Sequence, residues 1–317
     1  MRNILALSLT NRCPLRCSFC CVPPGPGDMD LAIAQGLIAD CIRHDLVQEV
    51  GFTGGEPMLR YNDIVQLGAS LDAAGISWGM TTGMGWLGSR STMHTKADGL
   101  LGAGIRSISV SVDGTHGREI KPEKHPLIRE FVERMVNGGI NVTISVTKEN
   151  DAEACPIELT DLLDRRNFRM EYHYVAPVGH ADGRACHAQV RFDMRDSQCP
   201  LKKGFTFSVW PSGDVYPCCS TYTVNKAKAL RIGNVRRTPF VDIVAAALND
   251  PYLVTIREVG FAGLILLTPD SPVWTEAFMN GPVQDSCHLC AKVLANPGFQ
   301  DIRTALAQLP EASATAR

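Results

Sequence analysis

The sequence predicts an α/β protein in which an open, partial (β/α)6 barrel is followed by a smaller second lobe. Short β-rich runs alternate with helical patterns through the first half of the chain, and this pattern stops near residue 179. The 317 residues, of which 45% are hydrophobic and 20% charged, suffice for one large core and a smaller one. We therefore expect the barrel at residues 1–180 and the second lobe at residues 181–317.

The barrel prediction depends on six runs of strand character. These runs are residues 4–9, 49–53, 76–82, 107–112, 141–147 and 169–175. Between them, apolar residues recur at helical spacing in residues 31–42, 64–74, 96–101, 127–136 and 159–163. Six units are too few for a closed eight-fold barrel, so an open one is expected, with its chemistry at the carboxyl ends of the strands.

The second lobe is expected to begin with a hairpin and continue as helices. A stretch rich in glycine and small residues, 178–185, suits a linker. Residues 205–210 and 215–216 flank a Pro-Ser-Gly-Asp turn and predict the hairpin. Residues 240–248 and 252–267 have helical spacing, and Thr268-Pro269 must end the second helix.

Charge and hydrophobic patterning exclude several kinds of partner. A net charge of -2 provides no broad field for holding nucleic acid or an anionic membrane. The apolar run at 261–267 is far shorter than the roughly 20 residues that a membrane-spanning helix needs. The run at 4–9 is too short for a secretory signal and leads directly into cysteines. A cytoplasmic protein is predicted.

Cysteines are the most informative residues of this chain. There are 12, and most lie in tight local groups, which in a reducing compartment indicates metal binding. Cys13, Cys17 and Cys20 form a Cys-x3-Cys-x2-Cys run directly after the first strand. Three thiolates on one loop can hold an iron–sulfur cube and leave one iron open to a small molecule. Zinc is the alternative, although no nearby histidine completes a structural zinc site.

A second motif follows the second strand. Gly54 and Gly55 allow close backbone approach to a ligand, and Glu56 can accept a hydrogen bond from an ammonium group. Together, the cysteine run and this Gly-Gly-Glu resemble the signature of the radical S-adenosylmethionine (SAM) superfamily. The resemblance implies a TIM-like partial barrel, a [4Fe-4S] cluster whose open iron binds SAM, and reductive cleavage of SAM to a 5′-deoxyadenosyl radical. It also makes three residues at strand ends candidate SAM contacts, Thr82, Ser111 and Val175.

The later cysteines carry a second resemblance. Cys199, Gly213 and Cys218 are spaced as in the SPASM/Twitch domains that follow many radical SAM barrels. With Cys287 and Cys290 they would hold one auxiliary [4Fe-4S] cluster, and a four-cysteine zinc site is the alternative.

Two further cysteines are candidate reactive thiols. Cys219 is left over beside Cys218, and its thiol can give a hydrogen atom to a carbon radical. An inert buried Cys219 and an exchange of roles between Cys218 and Cys219 stay open as alternatives. Cys186 is the second candidate reactive thiol.

The chain as a whole resembles radical SAM peptide epimerases of the epipeptide type. The resemblance rests on Cys17-Ser-Phe-Cys20-Cys21, on Tyr216-Pro-Cys-Cys-Ser220 and on residues 256–261. It implies conversion of L- to D-residues in a ribosomally synthesised precursor peptide, with Cys219 as hydrogen donor, and electrons from a flavodoxin- or ferredoxin-type protein. The alternatives are a Twitch-type dehydrogenase or sugar epimerase, and a maturase that forms C–C or thioether cross-links in peptides.

Overall fold

One sheet of nine strands organises the part of the chain that the computed structural model describes, residues 2–22, 27–184 and 198–308. The strand order is β6-β5-β4-β3-β2-β1-β7-β8-β9. The strands are β1 (Ile4–Thr10), β2 (Glu49–Gly54), β3 (Ser77–Thr82), β4 (Ser107–Ser111), β5 (Asn141–Lys148), β6 (Phe168–Tyr174), β7 (Thr206–Val209), β8 (Asp214–Tyr216) and β9 (Gly233–Asn234).

Helices cover the sheet and form most of the second lobe. In chain order they are α1 (Leu31–His44), α2 (Tyr61–Ala73), α3 (Arg90–Gly102), α4 (Gly114–Glu119), α5 (His125–Asn137), α6 (Thr221–Lys226), α7 (Phe240–Leu248), α8 (Pro251–Leu267), α9 (Pro272–Met279), α10 (Ser286–Ala295) and α11 (Phe299–Ala307). The predicted α/β class with a partial (β/α)6 barrel is confirmed.

Strands β1 to β6 are parallel and sequential, as crossover helices require. Alternate side chains of β1 to β5 are buried under the helices. On β1 these are Leu5, Leu7 and Leu9, which are 0% exposed. On β3, Trp78 is 0% exposed and donates its indole N–H to the carbonyl of Ala103, 3.0 Å away, after α3.

The hairpin of the second lobe differs from the expectation because it extends the barrel sheet. Strand β7 pairs in parallel with β1, with Ile4 opposite Thr206 and Leu7 opposite Val209. Strand β8 then pairs antiparallel with β7, as the predicted turn requires. Phe205 and Phe207, both 0% exposed, stack on each other and join the core that the barrel helices also bury. Hydrophobic burial therefore makes one core continuous across the two parts of the chain.

Two helical predictions need correction. Residues 159–163 form only a 3-10 turn, Thr160–Leu162, because Leu162 is the single buried side chain of that turn. The helix predicted at 252–267 is present as α8 but is broken at Gly260, whose φ of 64° and ψ of -168° are not helical. The later helices α9, α10 and α11 were not individually predicted.

No single helix among the described residues has the length and apolar composition needed to cross a membrane. The helices α8 and α9 meet those criteria only as a pair bent by 104°.

Candidate active site

The first cysteine group lies on the loop that follows β1, at the carboxyl edge of the sheet. The backbone N–H of Cys20 donates to the carbonyl of Cys17 at 3.1 Å, and the N–H of Leu15 donates to the sulfur of Cys13 at 3.4 Å. Burial, together with the neighbouring thiols of Cys20 and Cys13, raises the pKa of Cys17 to about 12. Three thiols on one short loop suit a shared cationic cluster, which compensates the charge of the thiolates that bind it.

The Gly-Gly-Glu motif holds the amino end of this loop. The N–H of Gly55 donates to the carbonyl of Thr10 at 2.7 Å, and the N–H of Glu56 donates to the carbonyl of Arg12 at 2.8 Å. A Cβ on Gly55 would lie 2.2 Å from the Arg12 carbonyl oxygen, so only glycine fits. The sequence predicted close approach of a ligand at these glycines, and in the structure the backbone that approaches them is the cysteine loop itself.

Glu56 is the buried centre of a hydrogen-bond network. It is 0% exposed, and its carboxylate accepts the Thr82 hydroxyl at 2.9 Å and the N–H groups of Gly83 and Met58 at 3.0 and 3.2 Å. Burial raises the pKa of Glu56 to about 7, whereas these donors and His116 lower it. The Thr82 hydroxyl also accepts the indole N–H of Trp86 at 3.1 Å. Thr82 therefore positions Glu56 rather than facing an open pocket.

A second set of contacts holds the carboxyl end of the cysteine loop. His180 donates its backbone N–H to the carbonyl of Cys20 at 2.9 Å, and its Nδ1 lies 3.2 Å from the carbonyl oxygen of Cys17. Asn225, on α6, donates from Nδ2 to the carbonyl of Cys21 at 2.8 Å. Helix α6 begins two residues after Cys219, so one short helix connects the two cysteine groups.

The remaining predicted SAM contacts lie at strand ends as expected. Ser111 is the half-buried last residue of β4, and Val175 directly follows β6 and donates its N–H to the carbonyl of Lys148 at 3.1 Å. Beside them, the buried Asp113 carboxylate lies 2.7 Å from Nδ1 of His116. The ring of His116 packs on Phe19 of the cysteine loop, with ring centroids 5.7 Å apart. Both ends of the cysteine loop and the ends of β3 to β6 therefore border one region.

A row of hydroxyl groups crosses the sheet on the face turned away from the helices. The row consists of five hydroxyl-bearing residues: Ser8, Thr53, Thr81, Ser109 and Thr143. Ser8 pairs with Thr53, and Ser109 pairs with both Thr81 and Thr143. Thr81 and Thr53 are bonded at 3.3 Å, and Arg169 ends the row by donating to Thr143 at 3.0 Å. The interior of a closed barrel is normally filled by Val, Ile and Leu. This face instead offers groups that both donate and accept hydrogen bonds.

The residues of the hydroxyl row were not among the predicted site residues. The signal for this row was the period of two in Ser107-Ile-Ser109-Val-Ser111 and Thr143-Ile-Ser145-Val-Thr147, where hydroxyls alternate with buried aliphatic residues.

The second cysteine group surrounds a cavity of about 160 Å³ between the hairpin, α8 and α10. All four cysteines predicted for the auxiliary cluster line it: Cys199, Cys218, Cys287 and Cys290. Burial raises the pKa of Cys199 to about 12 and that of Cys287 to about 11. Four half-buried thiols around an otherwise apolar cavity fit a bound iron–sulfur cluster, because a cationic cluster favours the thiolates that burial alone disfavours.

Cys219 lines the same cavity as its neighbour Cys218. Their exposure differs, because Cys218 is half-buried and Cys219 is exposed. Cys186 lies outside the described residues, so its prediction stays untested.

Single-ion coordination was also considered for both groups. Across residues 2–22, 27–184 and 198–308, no three or more His, Cys, Asp or Glu side chains are arranged to hold a single metal ion.

Two family models match this chain in the regions of these two sites. Residues 7–155 match the radical SAM superfamily, and residues 199–259 match SPASM, an iron–sulfur cluster-binding domain. Residues 7–155 thus form a radical SAM domain, and residues 199–259 form a SPASM-type domain. The cofactors are a [4Fe-4S] cluster with SAM and an auxiliary iron–sulfur cluster.

Individual relatives agree with this assignment. The chain is 20% identical over 294 residues to the putative peptide biosynthesis protein YydG of Bacillus subtilis, a match that covers 91% of each chain. It is 37% identical over 226 residues to GTP 3',8-cyclase of Trichormus variabilis, covering 61% of this chain and 64% of that protein. The match to GTP 3',8-cyclase of Rhodococcus opacus covers only 31% of that protein, at 36% identity. The chain thus spans less than two thirds of these cyclases.

Solved structures share the fold. Native anSMEcpe with bound AdoMet superposes with a TM-score of 0.55 at 13% identity, over 97% of this chain and 100% of that chain. BtrN in complex with AdoMet and 2-DOIA superposes with a TM-score of 0.51 at 15% identity, over 83% of this chain and 88% of that chain.

Proposed function

We propose that this enzyme is a peptide epimerase that converts L- to D-residues in a ribosomally synthesised precursor peptide. The observation that carries the proposal is a fifth cysteine in this group, the exposed residue Cys219 beside the half-buried Cys218. The full-length similarity to a protein named for peptide biosynthesis supports a peptide substrate.

In this proposal the ligand sets are those predicted from the sequence. Cys13, Cys17 and Cys20 hold the cluster that binds SAM, and Gly54, Gly55 and Glu56 border the SAM site together with Ser111 and Val175. Thr82 also borders the SAM site, and its hydroxyl donates a hydrogen bond to the Glu56 carboxylate. The auxiliary cluster is held by Cys199, Cys218, Cys287 and Cys290.

The cluster and SAM, when bound, supply the radical that removes the hydrogen atom from a Cα. The task of the protein is to return hydrogen to the opposite face of the planar carbon radical. The Cys219 S–H bond breaks as the new Cα–H bond forms, which leaves a sulfur radical. One electron and one proton then restore the thiol, and a flavodoxin- or ferredoxin-type protein supplies the electrons.

The hydroxyl row suits a peptide chain. Backbone amides present alternating donors and acceptors, and hydroxyl groups such as those of Thr53 and Thr81 satisfy both. We therefore expect a peptide to bind on this face. In this proposal the enzyme is cytoplasmic and binds neither nucleic acid nor membrane.

The test uses anaerobically reconstituted enzyme with SAM, dithionite and candidate peptides encoded beside its gene, in deuterated water. We expect 5′-deoxyadenosine and a peptide with a D-residue. At that residue one hydrogen should be replaced by deuterium, which mass spectrometry detects. Cys219→Ala is expected to form 5′-deoxyadenosine but no D-residue. A D-residue formed at the wild-type rate by Cys219→Ala would disprove the role of this thiol.

Cys218→Ala is the matched control for the two adjacent thiols. As a proposed ligand variant it should lose the auxiliary cluster, whereas Cys219→Ala should keep both clusters by iron and sulfide analysis. The reverse pattern would mean that Cys218 and Cys219 exchange roles.

Dehydrogenation and peptide cross-linking are the alternatives that the same cofactors allow. Both remove two hydrogen atoms from the substrate, whereas epimerisation in ordinary water leaves the mass unchanged. A product two hydrogen masses lighter would replace the epimerase proposal with one of these.

A further inference from the structure

A buried tyrosine touches one of the proposed auxiliary ligands. The hydroxyl oxygen of Tyr252 lies 3.6 Å from the sulfur of Cys290, within hydrogen-bond range for sulfur. Tyr252 is 1% exposed and also lines the cavity that the four cysteines surround. Nothing in the sequence motifs pointed to this residue.

The position of the tyrosine ring is fixed by its surroundings. Tyr252 lies in the first turn of α8, where the Asp250 side chain caps the helix by accepting the N–H of Leu253 at 3.0 Å. Its ring meets Phe299 edge-on, with centroids 5.0 Å apart at 87°. A hydroxyl held this way is already oriented towards sulfur before any cluster binds.

The direction of the hydrogen bond follows from the chemistry of the ligand. A cysteine that binds iron is a thiolate and has no proton to give. The Tyr252 hydroxyl must therefore donate, and the Cys290 sulfur must accept. Hydrogen bonds to cluster sulfurs are among the factors that set the reduction potential of an iron–sulfur cluster.

We propose that Tyr252 raises the reduction potential of the auxiliary cluster by donating a hydrogen bond to the Cys290 sulfur. Reduction adds negative charge to the cluster and its thiolates, so the donated bond is stronger in the reduced state. The proposal rests on Cys290 being a cluster ligand, and it is independent of whether the substrate is epimerised or oxidised.

Tyr252→Phe removes this hydroxyl and retains the ring that packs on Phe299. We expect unchanged iron content and a lower midpoint potential for the auxiliary cluster, measured by redox titration followed by electron paramagnetic resonance. At the wild-type midpoint potential, the ratio of reduced to oxidised auxiliary cluster should fall about tenfold. For a one-electron couple this corresponds to a midpoint potential lower by about 59 mV. An unchanged midpoint with both clusters intact would overturn the proposal.

Tyr222→Phe is the matched control. Tyr222 is also buried in the second lobe, but its hydroxyl donates to Oε1 of Gln284 at 2.7 Å rather than to a sulfur. Its loss should leave the midpoint potential at the wild-type value. An equal shift in both variants would show a general effect of losing a buried hydroxyl and would overturn the assignment to Tyr252.

Cys290→Ser separates failure of the ligand assignment from failure of the epimerase proposal. It should remove the auxiliary signal, and thermal unfolding of the metal-free protein checks that the variant still folds. Retention of an unaltered auxiliary cluster would refute Cys290 as a ligand and with it the Tyr252 proposal. Product chirality would still test the epimerase proposal separately.

Discussion

Glu56 shows how one side chain joins recognition to structure. Its carboxylate is fully buried, yet it is bound by three donors from two loops, and it also begins the 3-10 turn Pro57–Arg60 by accepting the N–H of Met58. Burial raises its pKa, because the charged form loses solvation that the donors only partly replace.

The raised pKa of Glu56 predicts a pH-dependent stability. A carboxyl group whose pKa rises from 4.5 to about 7 on folding stabilises the folded state most at low pH, and this contribution is lost as the pH rises to 7. Gln does not titrate at this position. The free energy of unfolding of Glu56→Gln, taken relative to that of wild type, should therefore increase by about 2 kcal/mol from pH 5 to pH 8. Thermal and denaturant unfolding across this range measure the difference. A difference that does not vary with pH would contradict the raised pKa.

At the scale of elements, helix α6 connects the two cysteine groups. It follows Cys218 and Cys219, and its Asn225 donates both to the carbonyl of Thr221 and to that of Cys21, each at 2.8 Å. The cysteine loop of the barrel is therefore held by a helix of the second lobe.

Asn225→Ala should loosen the cysteine loop and weaken SAM binding. Loss of one half-buried hydrogen bond predicts an affinity for SAM about three- to tenfold lower. Asn249→Ala is the matched control, because Asn249 makes the same bond to its own helix, Nδ2 to the carbonyl of Ala245 at 2.8 Å, but is exposed. Equilibrium dialysis of SAM against each reconstituted protein measures the effect. Equal affinities for the two variants would count against coupling through Asn225.

At the scale of the whole molecule, strand β7 joins the second lobe to the barrel. The junction requires Gly204, whose φ of 137° suits glycine and whose added Cβ would lie 1.9 Å from the carbonyl oxygen of Arg2. Phe205 then accepts the N–H of Ile4 at 2.8 Å and starts the pairing of β7 with β1.

Gly204→Ala should destabilise the protein as a single cooperative unit. Backbone strain alone costs roughly 1–3 kcal/mol, and the contact with Arg2 adds to it. Gly281→Ala is the control, since Gly281 also has a positive φ, 89°, but open space around its Cα. The two variants are compared by thermal unfolding. Equal losses of thermal stability in the two variants would mean that the close approach of β7 to β1 adds nothing to the cost of backbone strain.

The sequence alone determined the features that repeat locally or depend on residue identity. The six barrel strands followed from short β-rich runs, and the two cysteine groups and the Gly-Gly-Glu motif followed from spacing, because ligand chemistry restricts which residues can serve. The buried position of Cys41 on α1 was also predictable from helical periodicity.

Only the tertiary structure decided which distant groups meet. The pairing of β7 with β1, the contact of Asn225 with the Cys21 carbonyl, and the contact of Tyr252 with Cys290 join residues separated by about 200, 204 and 38 positions along the chain. No local pattern encodes such contacts, because they depend on how the whole apolar core packs and not on the periodicity of any one segment. The hydroxyl row likewise became visible only when strand register aligned residues from five different segments.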